Sequence, residues 1–418
     1  MKIYGRDFSK SLKKEGVKVA IYGLGKMGLP LAGVFAERGA SVIGVDVNAD
    51  VVASVNRGVN HVKEEHGLDE LVERNVREGR LEATLDGADA ARRADVMIII
   101  VPAFLDEAKK ADLGIIKDAS EKIAQGLEKG DFVIVETTVP PGTTENFVKP
   151  ILESSGLKAG VDFGLAHCPE RTSSGRAVVD ISGAYPKVVG GVDQISTDTA
   201  VGIYNVINER GVIPVSNSRT AEMVKIAEGL HRDVNIALAN ELAMVSDENG
   251  VDVWEVIEVA NTDPNCNLHE PGAGVGGHCI PVYPWFVING TGSTRLIRTA
   301  REVNDSMSGH VVRKVSKELE KSGKPVSGSN VLVAGLVYRP GVKETYNTPA
   351  KRVIKELRDL GANVFGYDPV LSEDEMASFL NVRSPNGNKL DCTVVLHNRN
   401  YAVTSKSGSL VTPMTFFK

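Results

Sequence analysis

Short apolar runs, each broken by a polar or glycine-rich stretch and followed by a longer segment with three- and four-residue apolar spacing, recur through the first half of the chain. The first run, residues 17–22, breaks into Gly23-Leu24-Gly25-Lys26-Met27-Gly28 and leads into the helix-like LPLAGVFAERGA. Others are residues 40–45, VMIIIV before Pro102, and FVIVET after Asp131. Runs this uniformly apolar suit parallel strands covered on both faces, and with helical segments such as 115–127 between them they predict a βαβ sheet. From Thr220 the texture changes. AEMVKIAEGLHRDVNIALANELAMVSDENG keeps a helical period as far as Asn249-Gly250, one long helix with a glycine C-cap. Residues 252–260 predict a second helix packed on it. After a further helical stretch, near 293–322, the polar linker SGKPVSGSN opens a second αβ unit: strand 331–337, helix 348–360, and a strand ending at Tyr367-Asp368-Pro369. Beyond Asn381 one strand is expected, 392–396, and the rest of the tail reads as irregular.

The fold class is therefore α/β, with a Rossmann-like domain at residues 1–205, a central helical region at 206–322 and a second Rossmann-like domain at 323–418. A chain of 418 residues suits two or three domains with real cores. The net charge of -6 is spread along the chain, which gives nucleic-acid binding no support. Cys168, Cys266, Cys279 and Cys392 are far apart and form no C-x-x-C pair, a pattern of reduced thiols. No apolar run approaches the ~20 residues that cross a bilayer, and MKIYGRDFSKSLKKEG has no hydrophobic signal core. A soluble cytoplasmic protein with no membrane partner is expected.

The break after the first run carries chemistry. In G-x-G-x-x-G between strand and helix, Gly23 makes the turn, Gly25 admits a pyrophosphate to the backbone, and Gly28 lets helix pack on strand, with Lys26 and Met27 between them. Asp46 ends the second strand, where a carboxylate accepts from ribose hydroxyls and repels the extra phosphate of NADP. NAD is thus the expected cofactor. Ligands gather at the carboxyl ends of such strands, where Pro102 and the segment from Glu136 to Glu145 lie. Thr138 there can donate to a nicotinamide, a sugar or a water; Thr143 and Thr144 read equally as a helix cap. Glu170 and Arg171 follow another apolar segment, as a base with its arginine or as a surface ion pair. Lys225, Arg232 and Asn235 lie on the long helix, about two turns apart or less. Lys225 is either a partly desolvated proton donor or oxyanion partner, or a lysine snorkelling to the surface.

The densest candidate is PGAGVGGHCIPVYPW, residues 271–285. Gly272, Gly274, Gly276 and Gly277 let the chain wrap closely around a ligand. Cys279 is either a thiol activated by loop dipoles and the adjacent His278, or a buried apolar one. Cys266, His269, His278 and Cys279 have some metal-ligand spacing, but adjacent side chains diverge and no metal site is expected. Tyr338, Arg339 and Lys343 follow the first strand of the second αβ unit, where the two cations are phosphate contacts or plain surface charge.

With GLGKMGLPLA, ETTVPPGTTE, CPERTSSGRA, AEMVKIAEGLHRDVNIALANEL and PGAGVGGHCIPV in this order, and GLVYRPGVKET after them, the chain resembles the UDP-glucose/GDP-mannose dehydrogenase family across residues 15–370. It is most similar to members that oxidise UDP-N-acetylmannosamine. The resemblance implies an NAD domain, a central dimerisation region, a C-terminal UDP-binding domain and a homodimer. It also implies a four-electron oxidation at C6 of a UDP-sugar. Cys279 would carry a thiohemiacetal and then a thioester, Lys225 would stabilise oxyanions, and Glu170 and Thr138 would serve the hydrolytic water. Substrate contacts would come from Glu170, Arg171, Lys225, Arg232 and Asn235, and from His269, Gly272, Gly276, Tyr338 and Arg339.

The chain departs from the family pattern at four places. Gly229 stands where asparagine is common, and Tyr283 where many members have aspartate. Ala103-Phe104 interrupts V-P-T-P, and Tyr346 replaces a basic residue. UDP-glucose, UDP-N-acetylgalactosamine and UDP-N-acetylglucosamine are alternative substrates. A two-electron hydroxyacid dehydrogenase and a nucleotide-sugar-binding protein without turnover are alternative functions.

Overall fold

The computed structural model describes residues 3–6, 12, 16–63, 65–397 and 409–411. They form two compact units, Met1–Ala227 with Trp285–Gly290 and Glu228–Pro284 with Thr291–Lys418. The division falls inside one long helix, α4 below.

In the first unit an eight-stranded sheet is built from β1 (Lys18–Tyr22), β2 (Ser41–Val45), β3 (Leu81–Thr84), β4 (Val96–Ile99), β5 (Phe132–Val135), β6 (Gly164–His167), β7 (Lys187–Gly191) and β8 (Val212–Pro214). Their spatial order is β8-β7-β6-β5-β4-β1-β2-β3. All neighbours are parallel except β6 and β7. The central strands are buried along their length, which is why they read as unbroken apolar runs rather than alternating ones. Periodicity did not mark β3, β7 or β8: β3 and β8 are short and partly exposed, and β7, although buried, is Lys-Val-Val-Gly-Gly with only two strand-favouring residues. Among the covering helices, α1 (Gly28–Glu37) contributes Leu31 and Phe35 to the same core as Val19, Ile21, Ile98 and Ile134, α2 (Gly114–Ala124) lies between β4 and β5 in sequence, and α3 (Gln194–Ile207) adds Tyr204. Winding runs outward from β1 to β3 and then restarts at β4 on the other side of β1. The topological switch point, where open α/β sheets bind ligands, therefore lies between the ends of β1 and β4.

The long helix is α4 (Ser218–Asn249), ended by Gly250 at φ +67°. In the second unit α5 (Val253–Ala260), capped by Asp252, buries Val253, Trp254 and Ile257 in one core with Ala243 of α4, confirming the expected packing of these two helices. Helix α6 (Tyr283–Ile288) begins in this unit and continues into the Trp285–Gly290 segment that belongs to the first, and α7 (Arg295–Lys321) follows in the second. A second parallel sheet then has the order β10-β9-β11-β12, from β9 (Asn330–Ala334), β10 (Asn363–Tyr367), β11 (Cys392–Val395) and β12 (Ser409–Val411), with α8 (Pro349–Asp359) after β9. Strand β9 stops at Ala334 because Leu336 and Val337 turn their amides to Asp368. The tail expected to be irregular contains β12, paired with β11 from Cys392↔Ser409 to Val394↔Val411. A three-residue strand is too short to leave a periodic signal; residues 398–408 and 412–418 of that tail lie outside the described residues. Among the described residues, no helix is long and apolar enough to cross a membrane.

Candidate active site

The turn from β1 to α1 is closed by backbone contacts. Gly23 sits at φ +101°, and a Cβ at Gly28 would lie 1.8 Å from the Gly23 carbonyl oxygen. A Cβ at Gly25 would meet nothing within 4 Å, so that position opens outward. Asp46, half-buried at the end of β2, accepts from the Leu24 amide at 2.9 Å through Oδ2 and from the Asn48 amide at 2.9 Å through Oδ1. The carboxylate that the sequence marks for a ribose thus also shapes the turn. Lys26 is exposed, and the Met27 sulfur accepts from Thr172 Oγ1 at 2.8 Å. That contact ties the turn to the segment after β6. His61, which the sequence reading missed, bonds the Leu24 carbonyl oxygen through Nε2 at 2.8 Å.

Pro102 follows β4 and is exposed; Thr138 follows β5 and is buried. Thr137 joins these two strand ends by donating to the Val101 carbonyl at 2.6 Å. Glu170 follows β6, donates its amide to the Glu136 carbonyl at 3.2 Å, and accepts the Thr172 amide on its carboxylate. Arg171 donates to the Pro186 carbonyl at 3.1 Å and lies over the Tyr185 ring. Both residues line a small pocket with Leu31, Lys187 and Tyr204. Below it, Glu136 is fully buried between the Tyr204 hydroxyl and the Lys187 ammonium, the latter at 3.1 Å, and burial raises its carboxyl above the usual range.

Thr143 and Thr144 do not cap their helix with their side chains. The segment Thr144–Val148 is a π-turn whose leading amides, at Gly142 and Thr144, go to the carboxylate of Glu222, 2.8 Å from the Thr144 amide. Glu222 is a buried acid on the apolar face of α4, and that misplacement in the pattern is the signal by which it could have been found. Lys225, one turn on, is half-buried, and no ion pair holds its ammonium among the described residues.

In the second unit α4 carries Arg232, which is exposed, and Asn235, whose side chain turns back to the His231 carbonyl at 2.6 Å. His269 meets the His231 ring edge-on at 6.4 Å. Burial, then His231 and Arg232, lower its pKa and leave a neutral imidazole. The cysteine loop is held by a buried polar network that sequence reasoning missed. Asn240 accepts the Gly272 amide at 2.9 Å and donates to Asn304 at 2.8 Å; Asn304 donates to Asp233 at 2.8 Å, which pairs with Arg301. Asp233 and Asn240 are polar positions seven apart on one buried helix face, which was the available clue.

Tyr338 roofs the loop. A Cβ at Gly276 would stand 2.5 Å from Tyr338 Cβ, and one at Gly277 3.0 Å from its ring. Burial first, then Glu344, pushes the Tyr338 phenol up to about 12. Arg339 is exposed, whereas Lys343 is ion-paired to Glu375, which favours surface charge over a phosphate contact for that residue. His278 stacks on Tyr346 at 5.2 Å, and burial lowers its pKa. It is therefore neutral near pH 7 and is not the cation beside Cys279 that the sequence suggested. Cys279 itself is exposed, unlike the buried Cys168 and Cys392, and its Sγ accepts from the Tyr283 hydroxyl at 3.3 Å. No group of three or more His, Cys, Asp or Glu residues stands ready to hold a metal among the described residues.

A glycine turn opening at the switch point of a parallel sheet, with an acid ending the next strand, is how dehydrogenases seat a nicotinamide dinucleotide. The first unit has this construction, and the second unit carries an exposed thiol at Cys279. The comparisons with known proteins make the class specific: the NAD binding domain, the central domain and the UDP binding domain of the UDP-glucose/GDP-mannose dehydrogenase family match residues 17–208, 219–306 and 332–403, and the chain belongs to that family. It is an NAD-dependent dehydrogenase of UDP-sugars. A UDP-N-acetyl-D-mannosamine dehydrogenase of Methanococcus maripaludis is 38% identical over 397 residues, 94% of this chain and 88% of that relative. The protein of the same description in Methanocaldococcus jannaschii is 40% identical over 357 residues, 84% of this chain and 79% of its own. The solved structure of a UDP-D-ManNAc dehydrogenase from Pyrococcus horikoshii superposes with a TM-score of 0.85 at 31% identity, covering 96% of this chain and 100% of that one.

Proposed function

We propose that the protein oxidises C6 of UDP-N-acetylmannosamine from the alcohol to the carboxylate of UDP-N-acetylmannosaminuronate, in two oxidations joined by a covalent intermediate on Cys279. The description shared by relatives that align over most of this chain supports the sugar. The observation that carries the mechanism is the single exposed thiol of the described residues, set behind a glycine loop and hydrogen-bonded at its sulfur.

When bound, NAD would supply the hydride acceptor for each oxidation; Gly23, Gly25, Lys26, Met27, Gly28 and Asp46 would hold its phosphates and ribose, and Pro102 and Thr138 would serve its nicotinamide end. Cys279 Sγ adds to the aldehyde carbon, so the carbon stays on the protein as a thiohemiacetal and then as a thioester instead of escaping between oxidations. Lys225 stabilises negative charge on the C6 oxygen. Glu170 takes a proton from the hydrolytic water, which Thr138 positions; the C–S bond breaks, sulfur leaves as thiolate, and the carboxylate is released. Tyr338 and Arg339 hold the uridine diphosphate with Gly272 and Gly276, while Arg171, Arg232, Asn235 and His269 contact substrate. The working divisions are residues 1–205, 206–322 and 323–418, the assembly is a homodimer, and the site of action is the cytoplasm, a reading supported by four free thiols.

The test compares kcat/KM for UDP-N-acetylmannosamine, UDP-N-acetylgalactosamine, UDP-N-acetylglucosamine and UDP-glucose, in the native protein and in Cys279→Ala. UDP-N-acetylmannosamine should be preferred by at least about tenfold, and Cys279→Ala should form no acid. Preference for UDP-glucose contradicts the sugar, and undiminished acid from Cys279→Ala contradicts the covalent step.

A further inference from the structure

Tyr283 starts a helix only four residues after Cys279, and its amide bonds the Cys279 carbonyl at 3.0 Å. This turn of backbone places both side chains on one side of the chain. The Tyr283 side chain is buried to 8% exposure, and its hydroxyl, the one polar atom of that ring, reaches Cys279 Sγ at 3.3 Å. A buried phenol of this kind needs a partner, and here the partner is a solvent-exposed thiol. The ring itself lies against Gly229 of α4. A Cβ at Gly229 would stand 3.2 Å from Tyr283 Cδ2 and 3.7 Å from its Cβ. Gly229 is in the helix interior without a positive φ, so its backbone does not call for glycine; the ring does.

We propose that Tyr283 is a catalytic residue that donates its phenolic hydrogen to the Cys279 sulfur, and that Gly229 is the clearing which lets its ring reach that position. This rests on Cys279 being the nucleophile. A donor aimed at sulfur stabilises the negative charge that sulfur carries as it attacks. The same bond serves the reverse event: when water adds to the thioester carbon and the C–S bond breaks, the electron pair returns to sulfur, and Tyr283 stabilises the departing thiolate. Its own proton stays on oxygen throughout. Among the other titratable groups of the second unit, Tyr338 interacts electrostatically with Cys279, and Glu344 and Arg339 act on Tyr338 in turn, while the neighbouring His278 is neutral and stacked on Tyr346. Tyr283 is the group that hydrogen-bonds to Sγ.

The experiment is iodoacetamide alkylation of Cys279 as a function of pH, followed on its peptide by mass spectrometry, with Cys266 as an internal reference for an intact fold. Tyr283→Phe keeps the ring over Gly229 and removes only the donor. Its Cys279 should be alkylated about tenfold more slowly than the native thiol at pH 7. Gly229→Ala should slow alkylation as well, and the double variant should be no slower than Tyr283→Phe alone, because both act on one hydrogen bond. A Tyr283→Phe profile that overlays the native one overturns the proposal. Acid formation by Cys279→Ala overturns the covalent reading instead, while the alkylation profile still decides the hydrogen bond, so the two failures are distinct.

Discussion

The protein has two glycine-rich loops, and they need glycine for different reasons. In the turn of residues 23–28, Gly28 is demanded by backbone: its missing Cβ would collide with a carbonyl oxygen in the same turn. In the loop of residues 272–277, Gly276 is demanded chiefly by a side chain, that of Tyr338, about sixty positions later in the sequence, while Gly277 meets the same ring and also sits at φ +89°. A similar contrast holds for the acids behind the two parallel sheets. Asp46 and Asp368 each end the strand beside the first one and each accept amides from the turn that follows it. Asp46 is half-buried beside the open position of Gly25, whereas Asp368 is only 2% exposed. One βαβ rhythm thus supports an open turn in the first unit and a closed scaffold in the second. A loop fixed by its own backbone tolerates change elsewhere; a loop fixed by distant side chains inherits every weakness of those side chains.

That difference can be broken experimentally. Arg301→Met should have the largest effect, because it leaves the Asp233 carboxylate buried without its cation and disturbs the chain of contacts to Gly272; about 3–5 kcal/mol of stability should go. Denaturant unfolding measures the loss, and UDP-sugar binding should weaken more than NAD binding in the protein that remains folded. Gly28→Ala, with its clash inside the first turn, should cost about 3 kcal/mol and reverse that order, removing NAD binding first. If both variants lost the two ligands in parallel, the independent origin of the loops would be refuted.

Acid acts on the first unit through His167, fully buried at the end of β6, whose pKa burial and then Lys187 lower to about 3. Between pH 6.5 and about 3 the unfolded chain binds a proton that the native one refuses. Stability therefore falls as pH drops through that window, by up to about 1.4 kcal/mol per pH unit for this group. His167→Asn should flatten the slope of unfolding free energy against pH by one proton. Gly25→Ala should have the smallest effect on stability, within about 0.5 kcal/mol, because its Cβ meets nothing. It should still weaken NAD by about tenfold, since the space it fills is where a pyrophosphate approaches the backbone. A stability loss without an NAD effect would mean that this opening is structural.

Legibility in the sequence follows the same division. The strands β1, β2, β4 and β5, the long helix and the dinucleotide turn were readable because their causes are local: apolar runs, a helical period, glycines at fixed spacing. Antiparallel β7 and the short β8 and β12 left no such trace. Glu222 as the cap of the 142–144 turn, the Asp233–Arg301–Asn304–Asn240 network and the Tyr338 roof join residues about 30 to 80 positions apart in sequence. Each appeared in the sequence only as a polar residue on an apolar face, or as a tyrosine after a strand. Gly229 and Tyr283 were visible as two separate departures from the family pattern; their contact makes them one feature.

A four-electron oxidation through Cys279 is decided by the NADH formed per UDP-N-acetylmannosamine consumed, with excess NAD and purified protein. Two NADH and one uronate per sugar are expected. One NADH per sugar with release of a free aldehyde would contradict it.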